Sequence, residues 1–508
     1  ESYGGIVSPL TATFAQNLYA QVYKDLLLHS GVKKNTLQKH SAVFDNLIGT
    51  AYGRIYYRME NWHKFMSMLP GYSRNKANLE EMLTLNIRSE KSENVVKPTL
   101  WIRLVYYPLV IWKLLFFKKS MTILDKETSA ILNEYHSFDY SSLNESEVNK
   151  HIQTLFDGIL RKWYLTVEND TVVMTLFAAL GKKKSQEEMA KILSFQSAST
   201  AQISALSGLA KALKKEDKLF VVLESESFEN FLIALNDFPR LKVQLSEYKL
   251  KYGGRFANEL KLETKSIDED QNAFRSLLIT YANSPAFEAV RQTENGLDFL
   301  SKTFQKFASR REHFRLHRAN LFAIIRKLVL RKADIWLERK IISNRGDIFY
   351  FKWPSVIDKK TPSPEEIESM KLERKKYETY QKIDAPAFFT VKNGRWPSIK
   401  QDNELSFQGM GVSVGEATGK ALVTEEFKIP KEPFDILVTK RTDPGWTTLM
   451  AMSKGLVIEE GGVLSHASIV ARELKIPAVI GVKNACSNYK SGDVLSIDGK
   501  TGQVFKQG

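Results

Sequence analysis

The chain has 508 residues, too many for one hydrophobic core, and is expected to divide into two or three domains. With 43% hydrophobic and 26% charged residues it has the balance of a soluble globular protein, which excludes wholesale disorder. A formal net charge of +15 raises nucleic acid as a partner, but the basic residues are scattered and form no recognisable nucleic-acid module; such a surface attracts anionic small molecules equally. The single cysteine, Cys486, excludes an internal disulfide and fits a reducing compartment, so a cytoplasmic location is expected.

Ser8 and Pro9 form an N-cap and first-turn pair opening a helix. A second helical stretch is expected over Phe44–Gly71, its aromatic and methionine stripe reading as core. The apolar run Leu104–Phe117 is too short for a membrane span and contains Pro108 and Lys113, so it reads as a core helix or one covering a ligand cavity. From Asn144 to about Leu250 helix follows helix, with Glu168–Thr171 as one of the loops. Gly253 and Gly254 then break the helix, and Arg255 and Glu259 follow; locally this is a helix break with a surface salt bridge.

The helix expected over Ser309–Phe351 places Arg311, Arg315 and Arg318 on one face. Three guanidiniums in line repel unless an anion or carboxylates sit against them, and their forks suit phosphate oxygens. The other reading is a solvated basic face. Glu312 and His313 fall on neighbouring faces. Residues 356–407 read as a polar, proline-containing linker with one helix, long enough for large relative motion between its neighbours. After Gly409 the runs shorten and β character rises, as in a compact α/β domain.

Within that domain, Gly461–Val482 reads as a glycine turn, a helix and a short apolar strand, preceded by the strand Gly455–Glu460. Ser465 is a natural N-cap and Pro477 stops the helix. His466 therefore stands at a helix N-terminus, beside unpaired N–H groups that suit an anion. It is either a polar turn residue or a ring that takes a phosphoryl group stabilised by those donors.

The run GGVLSHASIVARELKIPAVIGV resembles the phosphohistidine swivelling domain of the phosphoenolpyruvate-utilising enzymes, as do Lys440–Met450 (KRTDPGWTTLM) and Gly492–Val504 (GDVLSIDGKTGQV). Lys475 stands where that pattern has glycine. The SPLT entry, the YGRIYY stretch, Tyr252–Glu259 and the RE…R…R run from Arg311 resemble the helical domain of rifampicin phosphotransferase-like members. Arg58 replaces an expected asparagine, and Gly254 an expected histidine. The resemblance implies a multi-domain protein: a large, mostly α-helical acceptor domain (1–355), the linker (356–407) and a small swivelling β/β/α domain (408–508). It implies that His466 is phosphorylated and oriented by Thr442 and Ser465. Arg311 and Arg315 would stabilise the transferring group, while Tyr252, Arg255, Glu259 and Arg318 would bind a small-molecule acceptor. ATP and Mg2+ are implied as cofactors, held by an ATP-grasp domain or subunit not apparent in these residues. The start at Glu1 instead of methionine points to an excerpt of a longer chain or to a split system. A phosphotransferase or ATP-driven ligase is thus expected, with a non-catalytic phosphocarrier or a basic nucleic-acid binder as the alternatives.

Overall fold

The computed structural model describes residues 3–70, 100–193, 197–255, 258–284, 297–358, 361–381 and 408–507, with 268, 431 and 464 left out and a handful of single positions between the segments. The first part is helical. Ser8 accepts the Thr11 amide to cap α1 (Pro9–His29), and Pro9 takes a position where its missing N–H costs nothing. Phe44–Gly71 departs from the helical expectation. A hairpin of β1 (Ile48–Ala51) and β2 (Arg54–Tyr57) precedes a short helix, Met59–Ser67. Tyr52 and Gly53 turn it with φ of 50° and 68°, the geometry that matches strand twist, and the surrounding Thr, Ile and Tyr residues favour a pleated surface.

The next helix, α2 (Leu100–His136), runs through Pro108, and its first turns line an apolar groove of about 590 Å3 with Leu28 and Val32. Among the described residues no helix is long and apolar enough to cross a membrane. There follow α3 (Glu145–Gly158), α4 (Tyr164–Gly181), α5 (Ala198–Lys214), α6 (Pro239–Tyr252) and α7 (Gln271–Asn283). Glu168–Thr171 lies inside α4 and not in a loop, because buried Asn169 donates to the Phe307 carbonyl of a neighbouring helix.

The axis of the helical part is α8, Phe299–Glu338, capped by Asp298. It starts before Ser309 and ends well short of Phe351, where Lys340 (φ 61°) turns the chain. One face packs with Phe14, Leu124 and Ile152 of α1–α3, while Leu316 joins Leu206, Tyr248 and Phe274 of α5–α7. The linker helix α9 (Pro364–Tyr380) begins on a Ser363–Glu366 capping box and is docked, not free: Met370 joins the main core and Arg374 pairs with Asp347 at 3.0 Å. Linker residues 387, 388 and 390–407 lie outside the described residues.

After Gly409 the chain turns to strands, as its rising β character predicts. These are β3 (Met410–Ser413), β4 (Glu416–Val423), β5 (Ile436–Thr439), β6 (Gly455–Ile458), β7 (Ala478–Ile480), β8 (Val494–Asp498) and β9 (Gln503–Gln507). They make one sheet in the order β3-β7-β6-β5-β4-β8-β9, parallel from β7 to β4 and antiparallel outside. A Gln408–Gln503 bridge and the Gly409 N to Gly502 O bond join its two edges, so the sheet curls. Strand alternation gives it two apolar faces. Leu437, Leu456 and Ile480 lie beneath two helices, α10 (Thr447–Ala451) and α11 (His466–Leu474), while Val438, Val457 and Val479 meet Leu495 and Val504.

Candidate functional site

The site forms where α11 docks on the helical part. Ser465 caps α11 by accepting the Ser468 amide, which sets His466 as the first helical residue. Gly461 does not need a left-handed backbone; the strained residue is at the other end, where exposed Lys475 closes the helix at φ 54°. A glycine fits that position better, which explains the family pattern. Apolar contacts hold the dock: Ile469 sits among Val173, Leu180 and Phe304, and Leu474 packs near the α5–α7 cluster.

The His466 ring is 7% exposed. Its Nε2 lies 2.9 Å from Thr447 Oγ1, on α10, and its Nδ1 lies 3.5 Å from Glu312 Oε2, on α8. The second contact has ion-pair proximity without hydrogen-bond alignment, and neither atom has a hydrogen-bond partner among the described residues. Glu312 is fully buried; Arg315 donates to its other oxygen at 3.0 Å and Arg255 Nη2 stands 4.0 Å away. Burial alone would push the Glu312 carboxyl up, but Arg315, His466 and Arg255 together hold it well below the usual carboxylate range. Burial lowers His466, against the Glu312 charge that raises it.

Arg255 and Glu259 are not a surface pair. Their side chains are 0% and 2% exposed, with Nε and Oε2 3.5 Å apart. Arg255 also donates to Ser199 at 3.0 Å. Both Glu259 oxygens and Arg255 Nε and Nη2 have no hydrogen-bond partner among the described residues, and burial raises Glu259 to about 7. Buried polar atoms of this kind are what a polar ligand satisfies. Gly254 is required here by close packing: a Cβ would stand 2.7 Å from Asn320 Cα on α8, leaving no room for the histidine expected from the resemblance.

The remaining expected residues divide. Arg315 belongs to the cluster through Glu312. Arg311 turns to Asp170 on α4 at 3.5 Å with its side chain 11% exposed, so the basic face is not simply solvated. Arg318 is half-buried, and its Nε lacks a partner among the described residues. Tyr252 packs against Tyr248 in the α5–α7 core, its carbonyl accepting the Arg255 amide. Thr442 is half-buried and, among the described contacts, does not reach His466; Thr447, five residues on in the same run, lies against the ring instead. Sequence reasoning passed over Glu312 and Thr447 as site residues, although both lie inside quoted motifs. The signal for Glu312 was its i,i+3 spacing to Arg315. Nearby, Asp443 accepts the Asn258 and Gly445 amides at 2.7 and 2.8 Å, and Ser197 donates to Glu473 at 2.8 Å.

Residues 431–502 match the family described as PEP-utilising enzyme, mobile domain. The chain is 28% identical to a rifampicin phosphotransferase of Bacillus subtilis over 224 residues, 43% of this chain and 25% of the relative. It is 43% identical to a phosphoenolpyruvate synthase of Aeropyrum pernix over 107 residues, 20% of this chain and 13% of the relative. It is 24% identical to a prodigiosin synthesizing transferase of Serratia marcescens over 335 residues, 59% and 38% respectively. The chain thus spans well under half the length of these relatives.

Proposed function

From a chain that carries the mobile domain of the phosphoenolpyruvate-utilising superfamily and has phosphotransferases among its relatives, we infer that it passes a phosphoryl group from His466 to a small acceptor held between α6 and α8. The observation that carries this reading is the His466 ring facing buried Glu312, which in turn stands beside the buried Arg255–Glu259 pair. A carboxylate facing Nδ1 favours the tautomer with its proton there and leaves the Nε2 lone pair as nucleophile, which makes Nε2 the phosphoryl-bearing atom. The Thr447 hydroxyl, which donates to the Pro444 carbonyl in this structure, would release that bond to turn toward Nε2 and the group it carries.

In transfer, an acceptor oxygen attacks phosphorus, the P–Nε2 bond breaks and its electron pair returns to the ring. Glu259, raised to about 7 by burial, is suited to take the proton of an acceptor hydroxyl. Arg255 and Arg315 offset the charge developing on the phosphoryl oxygens. The division into acceptor domain, linker and swivelling domain serves this scheme, since one ring must visit a loading station and an acceptor station. ATP is the proposed phosphoryl source, bound by an ATP-grasp domain or subunit. Among the described residues, no group of three His, Cys, Asp or Glu ligand atoms lies at His466, so no step here is routed through Mg2+.

The test is phosphorylation of the chain with phosphoramidate, a small phosphoryl donor to histidine. Acid-labile, alkali-stable phosphate should appear at Nε2 by 31P NMR and vanish in His466→Ala. Equal labelling of that variant would end the reading.

A further inference from the structure

The other side of α8 carries a second histidine grouping that the phosphoryl chemistry does not use. His313 and His317, one turn apart, both direct Nε2 at Asp125 Oδ1 on α2, at 2.6 and 2.8 Å. The three ligand atoms lie within 4.8 Å of one another, the one such His/Asp/Glu/Cys grouping among the described residues. Phe314 packs edge-on against both rings, 5.6 and 5.7 Å between centroids, and restrains their rotamers. His317 is buried, with its side chain 10% exposed, whereas His313 and Asp125 are open to solvent at 46% and 41%.

We propose that Asp125, His313 and His317 form a binding site for a divalent ion of the zinc class, joining α2 to α8. Two imidazoles and one carboxylate converging on a point are a three-ligand set of the kind zinc takes, with a remaining position open to water on the exposed side. Metal–nitrogen and metal–oxygen bonds of about 2.0–2.2 Å place neighbouring ligands roughly 3.3 Å apart. The N–O separations seen therefore need to widen by well under 1 Å. Binding exchanges each Nε2–H for a metal bond, the proton moving to Nδ1 in a neutral ring, so the change is of tautomer without net proton loss. Mg2+ and Ca2+ are disfavoured, because they demand several oxygens and the site offers one carboxylate. Arg310, held over Phe117 and Phe307, works against a second cation through its charge at Asp125; one cation opposes three ligands.

The experiment is titration of the chain, first stripped with a chelator, with Co2+ followed by its visible d–d absorption, and with Zn2+ in competition. One equivalent should bind, with affinity lowered about 100-fold or more in Asp125→Asn and in His313→Ala/His317→Ala, and retained in His466→Ala. His313→Ala alone, at a half-exposed position, keeps the test free of misfolding; its circular dichroism should match the parent while the cobalt spectrum changes. No binding at micromolar metal, an unchanged spectrum in His313→Ala, or loss only in His466→Ala would each overturn the assignment.

Discussion

Two faces of α8 handle charge in opposite ways. On the face toward α11, Glu312 is fully buried among Arg255, Arg315 and His466, and several polar atoms there have no hydrogen-bond partner among the described residues. On the face toward α2, His313, His317 and Asp125 are partly open to water and hydrogen-bonded to one another. The first arrangement stores electrostatic energy in a dry place, where under the proposed function a transferring anion would use it. The second is screened and nearly self-sufficient, so it costs little and waits for an outside ligand. A histidine's surroundings, more than its presence, decide what it can do.

The sharpest way to break this contrast is Arg255→Ala. It strands Glu259 and brings Glu312 closer to an uncompensated charge, and should destabilise the protein by about 3–5 kcal/mol in chemical denaturation. A loss below 1 kcal/mol would mean water already reaches the cluster. Next is Glu312→Gln, which keeps shape but removes the charge facing Nδ1. Transfer from phospho-His466 should slow by about 100-fold in single-turnover assays, while labelling by phosphoramidate persists.

Glu473 asks whether burial without a cation gives the reverse result. Burial raises it to about 8 against the hydroxyls of Ser197 and Thr200, so at neutral pH it docks α11 as the protonated acid. Its folded value lies above its unfolded one. The stability it contributes is therefore complete below about 4.5 and is lost progressively as pH rises to about 8. Denaturation midpoints measured across that window should fall with pH, and Glu473→Gln should flatten the slope. An unaltered slope would place the titrating group elsewhere. The smallest effects belong to the open face and the helix end. His313→Ala in metal-free buffer should change stability by at most about 0.5 kcal/mol. Lys475→Gly should stabilise by roughly 0.5–1 kcal/mol by relieving a left-handed lysine, readable as a shifted urea midpoint.

Much of the mobile domain was legible because its signals are short-range. Strand alternation, the Ser465 cap and the Pro477 stop each act within a few residues, and all appear where expected. The misreadings were also local. Tyr52-Gly53 made a hairpin turn inside an apparent helix, and Asn169 looked like a loop residue until Phe307 supplied its partner. Lys475 is exposed, and nothing in its sequence neighbourhood announces its left-handed φ, which only coordinates reveal.

By itself the sequence determined the element that presents His466, because a helix start is specified by a cap, a turn and an apolar period in one short run. Only the tertiary structure decided that Glu312, more than 150 positions away, faces that ring, that Thr447 and not Thr442 touches it, and that Arg255 and Glu259 are buried together. Such pairings depend on which helix faces dock, and docking is set by apolar surfaces such as Ile469 against Phe304 that carry no chemical label.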